Sequence, residues 1–165
     1  MMKMNYFLIY RLDLKQLQYI CNMLHTIPIT IVELEQDNYH IMVSGIFADK
    51  SVGHWIIDTG ASKTVFDKAL TDYYHLIDTE DGAEMQSAGL GADYIETRVG
   101  EIKSLKFENF KVKKLRVALI DLGHINELYS KYSSETICGL LGSDLLMKYQ
   151  AVIDYRKQLL MLKKD

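Results

Sequence analysis

A short segment in the first half of the chain carries the residues best suited to chemistry. Asp58 directly follows the apolar run 55–57, and Thr59, Gly60 and Ser62 come within the next four positions. The run is bulky and partly β-branched, which is typical of a buried strand. A carboxylate at the end of such a strand needs hydrogen-bond donors, which the two hydroxyls can supply, while Gly60 lets another backbone approach closely. We therefore predict one site built around the Asp58 carboxylate.

The tripeptide Asp-Thr-Gly is weak evidence when it stands alone, because a turn between two strands often has this composition. A second motif strengthens it. The segment 139–146 reads Gly-Leu-Leu-Gly-Ser-Asp-Leu-Leu, so a short apolar strand runs into a glycine and then into a polar helix start. We expect a helical turn there, with Ser143 or Asp144 as its cap.

This pair of motifs resembles the retropepsin-like aspartic proteases, and among them the bacterial members with a single Asp-Thr-Gly per chain. The resemblance extends from Ile29 to Leu162. It implies an all-β fold, a retropepsin-like half-barrel with one short C-terminal helix. It also implies that Asp58 is the catalytic carboxylate and that a strand beside it carries the structural motif formed by Leu140, Leu141, Gly142 and Asp144.

The resemblance implies an aspartic endopeptidase that works as a homodimer. Peptide hydrolysis by carboxylates needs two of them, one ionised and one protonated, and one chain supplies only Asp58. In the family, the positions of Thr59 and Gly60 make contacts across the two-fold axis, and that of Ser62 orients the outer carboxylate oxygen. The residues implied to contact the substrate are Ala61, Val65 and a flap candidate formed by Ser87, Ala88, Gly89, Leu90 and Gly91. The alternative is a catalytically silent dimerisation or peptide-binding module.

The rest of the chain divides into an N-terminal extension, residues 1–27, and a protease domain, residues 28–165. Apolar residues at three- and four-residue steps predict an amphipathic helix from Asp13 to about His25. Alternating or apolar runs predict strands at 29–35, 39–47, 94–99, 101–107 and 110–120. Helical spacing predicts a short helix within 64–74. The polar segment 121–136 is interpreted as a loop or short helix that covers the cleft, extends the dimer contact or blocks entry.

Composition narrows the choice of partners. The chain has 165 residues and a formal net charge of −3, so we expect one protease domain and no nucleic-acid partner. No apolar run has the length of a membrane span, so no membrane partner is expected. The two cysteines suit a reducing compartment, which predicts a cytoplasmic protein with a buried Cys138. The five histidines are too scattered for a local metal motif, and we expect neither a metal nor a cofactor.

Overall fold

The computed structural model describes residues 24–77 and 98–164, most of which lie in strands. The strands are β1 (Leu24–Pro28), β2 (Thr30–Glu35), β3 (Asn38–Phe47), β4 (Val52–Ile57), β5 (Val65–Asp67), β6 (His75–Leu76), β7 (Val99–Phe107), β8 (Phe110–Ile120), β9 (Ile137–Leu141), β10 (Val152–Asp154) and β11 (Leu159–Lys163). The helices are α1 (Gly123–Tyr129) and α2 (Ser143–Lys148), with a 3₁₀ turn at Thr71–Tyr73.

Six of the strands close into a barrel. They are hydrogen-bonded in the order β3-β4-β9-β5-β8-β7, and β7 pairs back with β3 through Phe47 and Leu105. β2 extends the sheet beyond β3, and β6 extends it beyond β7. Closure leaves the central strands without free edges, so their backbone groups are paired without help from another molecule.

Two of the barrel contacts are parallel, and one of them positions the predicted site. β4 runs parallel to β9, with Ile57 opposite Leu141, and β5 runs parallel to β8. The ends of β4 and β9 therefore meet at the same edge of the barrel. As a result, Asp58 and Gly142, the residues that follow these two strands, come together although they are far apart in the sequence.

Aromatic rings fill the barrel, and glycines make room for them. Trp55 and Phe66 are fully buried and stack with their ring centroids 5.4 Å apart. A Cβ atom added at Gly139 would lie 2.4 Å from the Trp55 ring, which is shorter than the contacts that Cβ atoms make in proteins. Gly139 thus keeps β9 and β4 close enough together for the indole to fit between the barrel walls.

A second, three-stranded sheet is formed by the two ends of the described chain. β11 lies between β1 and β10, and its Leu160 and Leu162 are fully buried together with Ile27 of β1. β1 runs across the predicted division between residues 27 and 28, and that division stays a prediction. Most of the predicted N-terminal helix lies outside the described residues, but its last two positions, Leu24 and His25, belong to β1.

The all-β prediction with a short C-terminal helix is confirmed, and the segment after β8 adds the second helix, α1. The helix predicted within 64–74 is wrong: residues 65–67 form β5, because they pair with β8 on one side and with β9 on the other. These tertiary hydrogen bonds override a weak local spacing. Within residues 24–77 and 98–164, no helix has the length and apolar character needed to span a membrane.

Candidate active site

Asp58 stands directly after β4 with its carboxylate held by its own loop. Its N–H donates to the Leu141 carbonyl at 3.1 Å, which continues the pairing of β4 with β9. The Oδ1 atom accepts hydrogen bonds from the N–H groups of Gly60, at 2.9 Å, and Ala61, at 3.2 Å. No described residue donates to Oδ2, so one oxygen is fixed by backbone dipoles while the other is left for a proton, a water or a partner.

The Asp58 loop is tied to the segment between β9 and α2. The N–H of Ser143 donates to the Ala61 carbonyl at 2.8 Å, and the Ser143 hydroxyl donates to the Thr59 carbonyl at 3.0 Å. Gly142 lies so close to the loop that an added Cβ would be 2.4 Å from the backbone carbon of Lys63. Only a glycine allows the two backbones to come this close, and this explains why the second motif has a glycine at position 142.

Asp144 clamps the far end of the same loop. Its Oδ1 accepts from the N–H of Thr64 at 2.8 Å, from the Thr64 hydroxyl at 2.7 Å and from the N–H of Leu145 at 2.8 Å. The hydroxyl oxygen in turn accepts from the Gly142 N–H at 3.1 Å. The predicted helix cap is therefore wrong. The N-cap of α2 is Gly142, without a side-chain cap, because the Asp144 carboxylate is engaged by fully buried Thr64.

An apolar row lies beside Asp58 on the outside of the barrel. Ile56 is paired with Leu140 across β4 and β9, and Leu140 is paired with Val65 across β9 and β5. Paired residues project to the same side of a sheet, and residues two apart on a strand do so as well. The row of Ile56, Leu140 and Val65 is therefore on the Asp58 side, whereas Trp55 points into the barrel.

Helix α1 packs against this row, and several polar contacts anchor its segment. The Asn126 side chain donates to the Ile137 carbonyl at 3.0 Å and accepts from the Ile137 N–H at 2.7 Å. The Tyr129 hydroxyl is hydrogen-bonded to His40, and Glu135 pairs with His54. Burial raises the pKa of Tyr129 to about 12. Sequence reasoning missed these contacts, since each joins residues from separate segments of the chain.

The remaining predicted site residues fall into two groups. Thr59 and Ser62 are exposed, and within the described part of the chain neither hydroxyl bonds to Asp58, so their roles stay predictions. The flap candidate 87–91 lies outside the described residues. Cys138 is buried as predicted, and its thiol donates to the His54 carbonyl at 3.1 Å. Burial raises the pKa of that thiol, which is typical of a packing residue rather than a nucleophile.

A match to a family model identifies the family of the chain. A family model described as aspartyl protease matches residues 43–145, which is more than half of the chain. The chain therefore belongs to the aspartyl protease family, and the predicted retropepsin-like membership is confirmed. Among solved structures, the chain is similar to a retropepsin-like aspartic protease from Rickettsia conorii, with 18% identity over 84% of this chain and 90% of that one and a TM-score of 0.45. No curated protein sequence matches the chain.

Proposed function

We propose that the protein is an aspartic endopeptidase whose active site is completed by a second copy of the chain. Asp58 of each copy supplies one carboxylate, and a water molecule held between the two attacks the scissile carbonyl. The observation that carries the proposal is the state of the Asp58 carboxylate, which has one oxygen fixed by two N–H groups and the other without a described donor. The placement of this carboxylate supports the proposal as well, because Asp58 follows β4 directly and lies opposite Gly142 of the second motif, at the edge of the barrel where β4 and β9 both end.

The two carboxylates would divide the work by sharing one proton. The ionised one removes a proton from the water, and the protonated one donates to the carbonyl oxygen as the tetrahedral intermediate forms. Like charges so close together cannot both ionise cheaply, which favours the shared state. The backbone donors of Gly60 and Ala61 would hold Asp58 in the same position throughout the cycle, so little reorganisation is needed.

The other site residues receive roles from their positions in the family motif. The exposed Thr59 hydroxyl would bond to the loop of the partner copy, with Gly60 permitting the close contact, and Ser62 would orient the outer carboxylate oxygen. Ala61 and Val65 would contact an extended peptide substrate, and residues 87–91 would form the flap. A cytoplasmic location and a protease domain beginning at residue 28 are further proposals from the sequence.

The central test compares Asp58→Asn with wild type on an unstructured protein such as casein. The amide nearly preserves shape but can neither ionise nor relay a proton, so cleavage should disappear while the fold and the mass in light scattering stay those of a dimer. Asp154→Asn is the matched control, because the Asp154 carboxylate pairs with the Lys157 ammonium group at 3.7 Å and lies outside the Asp58 loop. Full activity of Asp58→Asn, or an active single chain, would refute the proposal.

A pH series gives an independent check. Catalysis needs one proton on the pair of carboxylates, so the rate should fall both where the pair holds two protons and where it holds none. The wild-type profile should therefore be bell-shaped. A rate that keeps rising into alkaline pH would contradict it. A dimer that cleaves nothing at any pH but binds peptides would identify the silent binding module instead.

A further inference from the structure

The ladder of hydrogen bonds that closes the barrel uses only part of strand β8. On one side, β5 pairs with β8 at residues 118–120. The Ala118 N–H donates to the Thr64 carbonyl, so the backbone groups of Ala118 point toward β5, and those of Arg116, two residues earlier, point the same way. In the sheets described for residues 24–77 and 98–164, no strand lies opposite Arg116 on that side. The first half of β8 therefore has an open edge with free hydrogen-bonding groups.

A groove follows this open edge and separates it from helix α2. Its volume is about 320 Å³. Residues 112–116 form the side of β8, and the opposite side is formed by Asp144, Leu145, Lys148 and Tyr149. Peptides that add a strand to a sheet bind in such a position, because the edge supplies backbone hydrogen bonds and the groove supplies contacts for alternate side chains. The shape of the groove therefore suits an extended polypeptide.

The side chains around the groove give it a positive charge. The segment 111–116 has four basic residues and no acid, and because the whole chain has a net charge of −3, the rest of it carries −7. Asp144 is the one acidic residue among the lining side chains, and its Oδ1 is already engaged by Thr64. Four exposed cations line the groove without an ion pair to any residue that the structure describes, namely Lys113, Lys114, Arg116 and Lys148.

These charges decide which strand can add to the edge. The β8 strand of a second copy would place lysines opposite lysines, and like charges in that position destabilise a strand pair. Lysines on an edge commonly protect against such self-pairing. An acidic strand would instead place its carboxylates beside the cations. Nucleic acids and anionic lipids could also meet these charges, but they cannot form the ladder of backbone hydrogen bonds that the edge offers.

We propose that the groove between β8 and α2 binds an extended acidic segment of another polypeptide, which adds as a strand to the open edge of β8. Carboxylates at alternate positions of that segment would lie beside Arg116 and Lys114, with Lys148 facing them from α2. This inference goes beyond the proposed peptidase function and does not depend on it. Because Asp144 lines the groove and also holds the Asp58 loop, the bound segment would lie next to the candidate active site.

The probe is a fluorescein-labelled peptide of ten residues that alternates Glu and Val, and its binding is followed by fluorescence anisotropy. The protein is the full chain with Asp58→Asn, so that cleavage does not remove the probe. Lys148→Gln and Arg116→Gln should each weaken binding by up to about fivefold, and the two together with Lys114→Asn by more than about tenfold. Asn tolerates the positive φ of 53° at Lys114. Lys157→Gln is the control, because Lys157 is 70% exposed and lies outside the groove, and it should leave the affinity unchanged.

Backbone pairing is tested with the same peptide methylated on nitrogen at every Val or at every Glu. The N–H groups of alternate residues point to the same side of a strand, so one of the two methylated peptides should bind about tenfold more weakly or worse. This measurement needs no change in the groove, so it decides the question even if a variant fails to fold.

Three results would overturn the inference: neither methylated peptide binds more weakly, the folded triple variant binds as tightly as its parent, or a ten-nucleotide single strand of DNA binds as tightly as the peptide. The last result would identify a general surface for polyanions. Loss of casein cleavage in Asp58→Asn is measured separately, so the peptidase proposal and this inference can fail independently of each other.

Discussion

Replacing Asp144 tests whether the clamp on the Asp58 loop stabilises the fold. Asp144→Ala removes the acceptor of two donors on Thr64, a residue with no exposed surface. Each buried donor left without a partner costs about 1–3 kcal/mol, so the free energy of unfolding should fall by about 4 kcal/mol. The third donor, the Leu145 N–H, lies in the first turn of α2 and adds little if water replaces the carboxylate.

Asp144→Asn separates the charge from the hydrogen-bond geometry. The amide oxygen can still accept from Thr64, but charge-assisted bonds are about twice as strong as neutral ones, so we expect a loss of about 1–2 kcal/mol. Asp154→Ala is the control, because that carboxylate is paired with a Lys157 side chain that is 70% exposed. Such a surface pair contributes less than about 1 kcal/mol.

Urea unfolding measures all three variants at one fixed protein concentration, because the stability of the proposed dimer would depend on concentration. With a slope of about 2 kcal/mol/M, the midpoint of Asp144→Ala should lie about 2 M below wild type. The clamp would be refuted if Asp144→Ala stayed within about 1 kcal/mol of wild type, or if Asp144→Asn were as damaging as Asp144→Ala. The first result would mean that water or another group replaces the carboxylate oxygen at Thr64, and the second that an amide oxygen cannot take its place.

Three further predictions follow from single contacts. Gly142→Ala should destabilise by about 3 kcal/mol in the same urea assay, because the new methyl meets backbone at 2.4 Å, whereas Gly123→Ala, facing only an exposed carboxylate, should cost below about 1 kcal/mol. In a Cys21→Ser variant, Cys138 should react with a thiol reagent at pH 8 only after unfolding, since burial keeps it protonated; rapid labelling of folded protein would disprove this. Neutral Tyr129 should stabilise the fold below pH 10, and this contribution should be lost between pH 10 and about 12, as the unfolded chain ionises first; Tyr129→Phe should lack that step.

The Asp58 segment could be predicted from sequence because its signals are local. An apolar run ends at an acidic residue, and a glycine and two hydroxyls follow within a few positions, so strand, loop and candidate carboxylate are all contained in a few residues. Strand β8 and most of β7 were predictable for the same reason, since each carries its own pattern of buried and exposed residues. The predicted break at Gly100 is wrong, because Gly100 pairs with Val117 inside β7. In these places local propensity and tertiary structure agree.

The hydrogen bonds of Asp144 to Thr64 and the attachment of α1 to β9 could not be predicted from the sequence, because each joins distant segments of the chain. Asp144 and Thr64 are 80 positions apart, and nothing near Asp144 distinguishes a helix cap from a carboxylate that holds a distant loop. Asn126 likewise finds its partner, Ile137, only after the chain has turned back into β9. The prediction of a helix in place of β5 was wrong for a related reason. Strand β5 has only three residues, too few to show an alternation, and it forms because β8 and β9 pair with it.

The alternation along β4 ties the position of the candidate site to the packing of the core. Trp55 and Ile57 fill the barrel, so Ile56 and, two positions after it, Asp58 face the other side. A shift of one residue in this strand would turn the carboxylate into the apolar interior, where an unpaired charge is very costly. Two features prevent that shift. Strand β4 is paired with β9 in a fixed register, and the Trp55 indole fits only beside Gly139, which has no side chain. Any larger residue at 139 would therefore disturb the fold and displace Asp58 together, so stability and activity should be lost in parallel.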